Sequence, residues 1–400
     1  MKILLICQYY EPEPFRVHAL CRELVRRGHE VHVVTGMPNY PKGERYPGYE
    51  ENRIKTEELN GVFITRLPIH PRKTGAVHRF WNYYSYVYQS KRFVRSKRLA
   101  KAEPPFDVVF VYQLSPVMMA RSGLCYAKTH GLPVLMYTLD LWPESLLAGG
   151  IARGSAVYRL YHRISGRIYH AADRILVSSG QFSPYLRREF GIPEHRIHCL
   201  PQFAEALFQP LPVKPKGEVL RLTFAGNIGL YQKLDTVLSA AELLRDEPVE
   251  FQIVGDGSEL EHIRKSAQQR GLRNVIIPGR KPVEEMPEIY ARSDAMLVTM
   301  LRDPLISLTL PGKVQSYLAA GKPIIGAIDG EAARVIREAD CGFCGPAEDA
   351  EALAENVRKM LACSDMERLC RNAAAYYETH FSLDRFMEAL EQELLTLKKE

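Results

Sequence analysis

Apolar, β-branched runs alternate with amphipathic stretches along the whole chain. In the first half this pattern predicts strands at residues 2–7, 30–35, 62–67, 107–112, 133–138 and 174–179. A helix is predicted at 15–28, and its end is set at Gly28 because glycine is favoured just after a helix C-terminus. Near-continuous apolar strands separated by helices are typical of a parallel sheet covered on both faces. The first half is therefore predicted to be a doubly wound α/β domain.

The same pattern begins again in the second half, with strands predicted at 220–226, 249–255, 274–279, 295–300 and 323–328. The division predicted is a first domain at 1–204, a proline-rich linker at 205–219, a second domain at 220–382 and a C-terminal helix at 383–400. The expected fold class is α/β, with two doubly wound, Rossmann-like domains facing a cleft. Ligands bind such domains at the carboxyl ends of the strands.

Charge is distributed unevenly between the two halves. Residues 1–204 hold 29 Lys and Arg against 16 Asp and Glu, whereas residues 205–400 hold 24 against 31. A basic first half indicates an anionic surface or substrate as its partner. No apolar run is long enough for a transmembrane helix, and the opening "MKILLICQYY" is interpreted as a buried strand rather than a secretory signal.

The eight cysteines are scattered, which suits reduced thiols in a cytosolic protein. Cys341 and Cys344 form a lone CxxC with no further metal ligands at suitable spacing. They are interpreted as packing residues in a glycine-rich loop, and no metal site is predicted.

Glycine-rich turns follow the first two strands of the second domain. "FAGNIG" contains Gly226, Asn227 and Gly229, Lys233 follows it, and "IVGDG" contains Gly255. Glycines let a backbone approach a phosphate, and a helix N-terminus adds N–H donors. An ordinary strand-to-helix turn explains either motif as well.

The stretch "SLTLPGKVQSYLAAG" is more specific. Ser307 and Thr309 precede Pro311, which begins a predicted helix, and Lys313 lies in its first turn. Hydroxyls, free N–H groups and an ammonium together are suited to a diphosphate and a sugar. The alternative is a capped helix with a solvated lysine.

Several stretches together resemble family 4 of the retaining nucleotide-sugar glycosyltransferases. They are "GHEVHVVTGMPNYPKG", "YTLDLWPES", "FAGNIG", "IVGDGSEL", "YARSDAMLV" and "LAAGKPIIGAIDGE". The resemblance covers nearly the whole chain and implies the GT-B architecture, with a C-terminal helix that crosses back to the first domain. It is strongest to bacterial enzymes of surface-polysaccharide assembly that transfer N-acetylated deoxyamino sugars such as N-acetyl-L-fucosamine.

The chain departs from this family at the donor site. Asn227 replaces the usual arginine, and Gln232 stands at the lysine position with Lys233 beside it. The family also carries two glutamates, the first contacting the donor sugar and the second the ribose; here those positions are Leu308 and Ser316. A leucine could meet a methyl group of a deoxy sugar. The donor-binding residues expected are Gly226, Asn227, Gly229, Gln232, Lys233, Gly255, Arg280, Ser307, Leu308, Thr309, Lys313 and Ser316.

In the first domain, Asp140 follows a predicted strand and is the expected catalytic residue, with Glu144 in reserve. A carboxylate there could stabilise oxocarbenium-like charge, or it could only cap the next helix. Arg16, Asn39 and Tyr40 lie in loops after the first two strands and are expected to bind the acceptor. Arg16 could equally be a surface arginine, and the loop of Asn39 and Tyr40 could be structural.

A basic, aromatic patch occupies residues 72–101, with nine Lys and Arg, seven aromatic residues and no acidic residue. Residues 153–174 add Arg159, Arg163 and Arg167 at helical spacing. Such segments suit an anionic membrane surface. Nucleic-acid binding is an alternative without a supporting motif, and so is a packed aromatic core with solvated arginines.

The function expected is a retaining transferase on the cytoplasmic face of the membrane. It would move a sugar from a UDP-sugar to a lipid-diphosphate-linked saccharide, without a metal or other cofactor and without nucleic acid. A nucleotide-sugar 2-epimerase on the same fold and a non-catalytic nucleotide-sugar-binding protein remain alternatives.

Overall fold

The computed structural model describes residues 1–73, 75–96, 99, 105–213 and 217–399, which form two compact units. The first unit comprises Met1–Ser178, Phe182–Leu200 and Met387–Glu400. The second unit comprises Ser179–Gln181 and Pro201–Phe386. None of the described helices combines the length and the apolar character needed to span a bilayer.

The first unit is built on an eight-stranded sheet with the order β3-β4-β2-β1-β5-β6-β7-β8. All neighbours pair in parallel except β3 and β4. The strands are β1 Lys2–Ile6, β2 Glu30–Gly36, β3 Lys55–Leu59, β4 Val62–Leu67, β5 Val108–Gln113, β6 Val134–Thr138, β7 Arg174–Val177 and β8 Ile197–Cys199.

The six strands predicted for this half are confirmed, with ends that differ by one or two residues. Their side chains are almost all buried, which is why apolar runs marked them. The edge strand β3 was not predicted, because its sequence KTEEL is polar and its residues are half-buried or exposed. The three-residue β8 is too short to show a pattern.

The second unit is built on a six-stranded parallel sheet with the order β11-β10-β9-β12-β13-β14. The strands are β9 Leu220–Asn227, β10 Val249–Asp256, β11 Val275–Gly279, β12 Ala295–Thr299, β13 Ile324–Ala327 and β14 Gly342–Gly345. The five predicted strands are confirmed. The sixth, β14, was predicted as a loop, because its short run GFCG is glycine-rich and only partly buried.

The CxxC motif therefore lies at an edge strand and not in a loop. Cys341 is buried directly before β14, and Cys344 lies within it; both are free thiols. Burial raises the pKa of Cys341 to about 12 and that of Cys344 to about 11. Protonated, buried thiols of this kind are poor nucleophiles and poor metal ligands.

Helices cover both sheets. They are α1 Val17–Arg26, α2 Ala76–Val94, α3 Arg121–His130, α4 Ala156–Ala171, α5 Phe182–Phe190, α6 Asp235–Leu243, α7 Leu260–Gln269, α8 Met286–Arg292, α9 Gly312–Ala319, α10 Gly330–Glu338, α11 Ala350–Ala362, α12 Met366–His380 and α13 Leu383–Lys399. The predicted helix 15–28 is confirmed as the shorter α1, and Gly28 after it adopts a φ of 87°.

The predicted linker, 205–219, begins with residues that pack on the second unit. Phe208 is buried and stacks on Tyr290, with 4.9 Å between ring centroids. The Leu211 N–H donates a hydrogen bond of 3.1 Å to the Ala320 carbonyl. These contacts fix the chain before residue 212, while residues 214–216 of the predicted linker lie outside the described residues.

The last helix carries its C-terminal part into the first unit. Glu391 accepts hydrogen bonds of 2.9 Å from both Arg27 and His29, and Glu393 accepts one of 2.8 Å from Arg174. Lys398 forms an ion pair of 2.9 Å with Asp107. The apolar face of the same helix is buried, so both faces hold α13 on this unit.

Candidate functional site

The carboxyl end of β9 and the first turn of α9 meet in the second unit. Tyr317 fixes this contact, because its hydroxyl donates to the Ala225 carbonyl and accepts from the Ala225 N–H, both at 3.1 Å. Lys313 lies one helical turn before Tyr317 and therefore on the same face of α9. This packing brings Lys313 to the glycine loop that follows β9.

Lys313 carries a buried ammonium that has no hydrogen-bond partner among the described residues. Its Nζ lies 3.6 Å from the centroid of the Phe224 ring, and a Cβ at Gly226 would come within 3.3 Å of it. Burial lowers the pKa of Lys313 to about 7. The Lys313 side chain as a whole is half-buried, but its Nζ atom is inaccessible to solvent. An uncompensated cation of this kind is costly unless an anion completes the site.

The glycine loops at the ends of β9 and β10 pack closely on one another. Gly255 has a φ of 151°, and a Cβ there would lie 1.8 Å from the Gly226 carbonyl oxygen. The Gly229 N–H donates to the Gln232 side chain at 3.2 Å, so Gln232 closes the turn. Asn227 is exposed at the tip of this loop. Backbone, rather than side chains, therefore forms the wall opposite Lys313.

Two other predicted donor-site cations have different surroundings from Lys313. Lys233 has a left-handed backbone with a φ of 46°, and its ammonium lies 3.8 Å from Glu348. Arg280 is exposed after β11, an edge strand separated from β9 by β10. Lys313 is thus the predicted cation that the structure places against the glycine loop.

The predicted sugar-binding segment forms a short turn before α9. The Ser307 hydroxyl donates to the Pro304 carbonyl at 2.8 Å, and the Thr309 N–H donates to the Ile306 carbonyl at 3.0 Å. Leu308 is half-buried. Gly330 holds the turn from the other side, since a Cβ there would lie 2.0 Å from the Ser307 carbonyl oxygen.

A carboxylate that the sequence analysis missed lies beside Ser316. The Ser316 hydroxyl donates to Glu205 at 3.0 Å, and it also lies 3.2 Å from the Gly312 carbonyl at the start of α9. Ser316 stands on the turn of α9 that follows Lys313. Glu205 had been assigned to the linker, and only tertiary structure brings it to a residue 111 positions away.

In the first unit, Asp140 follows β6 and is held by two serine hydroxyls. The Ser145 hydroxyl donates to Oδ1 at 2.7 Å, and the Ser115 hydroxyl donates to Oδ2. Burial raises the pKa of Asp140, against the effect of these hydrogen bonds. Among the described residues both hydrogen-bond partners are side chains, and the next short helix, Glu144–Gly149, begins after Pro143 without a side-chain cap, so Asp140 does not act as a helix cap.

Glu144 is buried within a cluster of donors. One carboxylate oxygen, Oε1, accepts from Arg153 at 3.0 Å, from the Tyr158 hydroxyl at 2.9 Å and from the Tyr185 hydroxyl. The other, Oε2, is buried with no hydrogen-bond partner among the described residues. These contacts indicate that Glu144 stabilises the packing of this unit. None of them supports its predicted role as an alternative catalytic residue.

The predicted acceptor loop is organised by a buried glutamate, Glu13. Its carboxylate accepts from the backbone N–H groups of Asn39 and Tyr40, each at 2.8 Å, and from that of Tyr10 at 3.1 Å. The Asn39 side chain is itself engaged, because its amide donates to the Met37 carbonyl at 2.9 Å. Burial raises the pKa of Glu13 to about 7. Arg16 precedes the first turn of α1 and is half-buried.

Aromatic rings cluster on the same loops. Phe15 lies 5.0 Å from both Tyr9 and Tyr40 between ring centroids. The Arg72 guanidinium lies 5.1 Å from the centre of the Tyr40 ring. Rings from the loops after β1 and β2, with a guanidinium from the segment after β4, are suited to a sugar carrying a phosphate. The sequence analysis found Tyr40 but missed Glu13 and Arg72.

Two family models match the chain, one in each half. Residues 15–202 match the "Glycosyl transferase 4-like domain", and residues 209–376 match "Glycosyl transferases group 1". Together they match most of the chain and both describe sugar-transferring enzymes, so the protein is a glycosyltransferase. Its second half matches the group 1 domain of these enzymes, and its first half matches the 4-like domain.

Full-length relatives have similar descriptions. The chain is 27% identical to "Putative colanic acid biosynthesis glycosyl transferase WcaI" of Escherichia coli K12, over 94% of this chain and 95% of the relative. It is also 27% identical to "O-antigen chain mannosyltransferase C" of Escherichia coli, over 97% of this chain and 96% of that one.

Solved glycosyltransferase structures share the fold. A sucrose-phosphate synthase from Thermosynechococcus elongatus superposes with a TM-score of 0.74 at 17% identity, covering 99% of this chain and 98% of that one. Anabaena HepE, in complex with UDP and glucose, gives 0.68 at 13% identity, covering 98% and 99%. The predicted α/β class with two Rossmann-like domains, GT-B, is confirmed.

Proposed function

We propose that the protein is a retaining glycosyltransferase of surface-polysaccharide assembly. It transfers an N-acetylated deoxyamino sugar from a UDP-sugar to a lipid-diphosphate-linked saccharide. Relatives whose names refer to colanic acid and O-antigen support a role in polysaccharide synthesis. A structural neighbour with bound UDP supports UDP as the nucleotide of the donor. The second unit binds the donor, and the first unit binds the acceptor.

The buried, unpartnered ammonium of Lys313 carries this proposal. A departing diphosphate gains negative charge as the glycosidic bond breaks, and a cation fixed nearby stabilises that charge. The N-terminus of α9 adds the partial positive charge of a helix start, and Gly226 lets the 226–229 backbone approach Lys313 closely. In this proposal these protein groups supply the stabilisation, and no metal or other cofactor is required.

Sugar selection follows from the substitutions in the donor site. Leu308 offers an apolar contact where a hydroxyl-binding carboxylate is absent, which favours a sugar that carries a methyl group in place of a hydroxyl. Glu205 supplies a carboxylate beside Ser316, so the ribose hydroxyls retain an acceptor. UDP-linked deoxyamino sugars should therefore be preferred to UDP-glucose.

Asp140 is the proposed catalytic carboxylate of the first unit. Ser115 and Ser145 fix its orientation, and the negative oxygen atoms would stabilise positive charge on the transferred sugar. The acceptor hydroxyl attacks from the face that the diphosphate leaves, which retains the configuration of the anomeric carbon.

The experiment is incubation with a panel of UDP-sugars and a lipid-diphosphate monosaccharide, followed by mass spectrometry of the lipid and anomeric analysis of the product. Transfer with retention, preferring deoxyamino donors, supports the proposal. UDP release without an acceptor would favour the 2-epimerase, and nucleotide-sugar binding without turnover would favour a binding protein. Equal use of UDP-glucose would contradict the proposed sugar selectivity.

The first unit carries an exposed apolar surface that we propose faces the membrane, which supports a lipid-linked acceptor. On α2, Val77, Phe80, Trp81 and Tyr88 are between 46% and 67% exposed and share one side of the helix. On α4, Leu160 is 55% exposed. The hydroxyls of Tyr84 and Tyr161 are hydrogen-bonded, which joins the two helices into one surface.

Basic side chains surround these apolar groups. Arg79, Lys91, Arg92 and Arg95 on or beside α2 are exposed, and so are Arg159, Arg163 and Arg167 on α4. Of the predicted patch 72–101, residues 74, 97, 98, 100 and 101 lie outside the described residues. Aromatic rings at the headgroup boundary with cations beside anionic lipid favour peripheral binding at the inner face of the cytoplasmic membrane.

A further inference from the structure

Arg72 lies among aromatic residues of the first unit without an acidic partner. Among the described residues, its buried Nε has no hydrogen-bond partner, and no carboxylate lies within ion-pair distance of its guanidinium. Other sheltered arginines of this unit are paired: Arg66 contacts Glu57, and Arg27 contacts Glu23 and Glu391. A half-buried cation that lacks such a partner indicates that an external anion completes its site.

The surroundings hold the Arg72 backbone in place. Its N–H donates to the Asn39 side chain at 2.7 Å. Gly43, with a φ of 73°, packs so closely that a Cβ there would lie 2.4 Å from the Arg72 carbonyl oxygen. A guanidinium on a fixed backbone loses little freedom when it binds a ligand, which favours tight recognition.

Aromatic rings border the guanidinium on two sides. Its carbon lies 5.1 Å from the centre of the Tyr40 ring and 6.0 Å from that of the Tyr83 ring. The rings shield the cation from solvent but do not neutralise it. A guanidinium presents a planar fork of N–H donors that matches two phosphate oxygens at once.

A second unsatisfied group lies in the loop after β1. Gln8 is fully buried, and its Oε1 has no hydrogen-bond partner among the described residues. Its Nε2 donates to Asn82 at 2.7 Å, and Asn82 also accepts from the Tyr9 hydroxyl at 3.1 Å. Asn82 lies on α2, so this network joins the loop after β1 to the helix that follows Arg72.

We propose that Arg72 binds a phosphate of the acceptor's diphosphate. This inference rests on the proposed function, since a lipid-diphosphate acceptor is part of it. Arg72 precedes α2, whose exposed Phe80 and Trp81 belong to the membrane-facing surface. The chemistry thus changes along the chain from phosphate binding at Arg72 to lipid contact on α2.

The test measures binding of farnesyl diphosphate, a soluble prenyl diphosphate, by isothermal titration calorimetry. The Lys313→Met background prevents the probe from binding at the donor site. We expect one site in that background and at least about tenfold weaker binding when Arg72→Gln is added. Arg72→Lys should be about threefold to tenfold weaker, because an ammonium lacks the planar fork. The control Arg53→Gln removes an exposed arginine of the same unit and should change nothing.

Three further measurements separate the sources of binding and the two proposals. Farnesol tests the prenyl chain alone, and inorganic pyrophosphate tests the anion alone; weaker binding of pyrophosphate in the Arg72 variants identifies the anion as the recognised group. UDP binding should be the same for the wild type and Arg72→Gln. If the wild type fails to bind UDP, the proposed function fails. If UDP binds but the probe has equal affinity with and without Arg72, this inference alone is overturned. Should Arg72→Gln unfold, Arg72→Lys decides.

Discussion

At the scale of single residues, the donor site depends on a charge that the protein alone does not neutralise. The Lys313 ammonium is buried against Phe224 and has no hydrogen-bond partner in the part of the chain that the structure describes. Burial lowers its pKa to about 7. A diphosphate would restore the protonated form by its own charge. Binding and protonation of Lys313 are therefore linked.

This linkage predicts a pH dependence of UDP affinity. Above pH 7 the free protein holds mostly the neutral amine, so binding must take up a proton and affinity falls as the pH rises. From about pH 7 to about pH 8.5 we expect about tenfold weaker binding for the wild type. Lys313→Arg stays charged and should lose less than about threefold. Titration calorimetry in buffers of different ionisation enthalpy measures the proton uptake directly; uptake that persists in Lys313→Arg would contradict the assignment.

Glu205 allows a second prediction at this scale. Its carboxylate accepts from Ser316 beside the first turn of α9, where we propose that it accepts from the ribose. Glu205→Gln should weaken UDP binding by about threefold to tenfold, as expected for loss of a charge-assisted hydrogen bond. Glu218→Gln, an exposed change in the same segment, is the matched control. The pair is measured against UDP and uridine, and equal affinities of wild type and Glu205→Gln would exclude the role.

At the scale of elements, sequence pattern predicted those strands whose residues are apolar and buried. It found β5, whose six residues are all buried, and missed β3, whose residues are half exposed. Site residues divide in the same way. Lys313 follows from its place in the first turn of a predicted helix, whereas Glu205 and Arg72 depend on contacts between distant segments. Pairings of that kind leave no periodic signal in a single sequence.

The packing of β9 against β10 makes Gly255 a sensitive position. A Cβ there would lie 1.8 Å from the Gly226 carbonyl oxygen, at a φ of 151° that residues with a Cβ rarely adopt. Gly255→Ala should displace the 226–229 loop and weaken UDP binding by at least about tenfold, or destabilise the second unit by about 1–3 kcal/mol. Gly217→Ala is the control, because a Cβ there meets nothing nearer than 3.8 Å. Calorimetry measures UDP affinity, and chemical denaturation measures stability. A Gly255→Ala protein that matches the wild type in both measurements would refute the prediction.

Helix α13 allows a prediction for the first unit. Met387, Leu390, Leu394 and Leu397 are at most 3% exposed, and burying such a side chain contributes about 1.5–3 kcal/mol. The summed free energy of burying these four side chains approaches the free energy of unfolding of a typical domain. Truncation after residue 386 should therefore leave the first unit unable to fold stably. Thermal unfolding and limited proteolysis test this.

Point variants on the same helix separate apolar burial from the ion pairs. Glu391→Gln and Glu393→Gln remove partners of Arg27 and Arg174 that are partly accessible. Each should cost only about 0.5–1.5 kcal/mol. If the point variants proved as damaging as the truncation, the ion pairs, not the apolar face, would hold α13.

At the scale of the whole molecule, the net positive charge of residues 1–204 coincides with exposed apolar groups on one surface of the first unit. Neither feature alone would distinguish a membrane surface from an ordinary one, since single exposed apolar residues are common. Together, Trp81, Phe80 and Leu160 with the arginines of α4 form an amphipathic surface. Its affinity should have an apolar and an electrostatic part.

The two parts can be separated by vesicle flotation. With vesicles containing anionic lipid, the triple change of Arg159, Arg163 and Arg167 to Glu should reduce binding at least about tenfold, as each cation near such a surface contributes about 1 kcal/mol. The same charge change at the exposed Arg245, Arg292 and Arg371 of the second unit should have little effect. Phe80→Ser with Trp81→Ser should weaken the binding that remains at high salt, because apolar insertion is not screened. Wild-type protein that fails to float with anionic vesicles, or a control triple that loses binding equally, would show that net charge and not this surface governs the association.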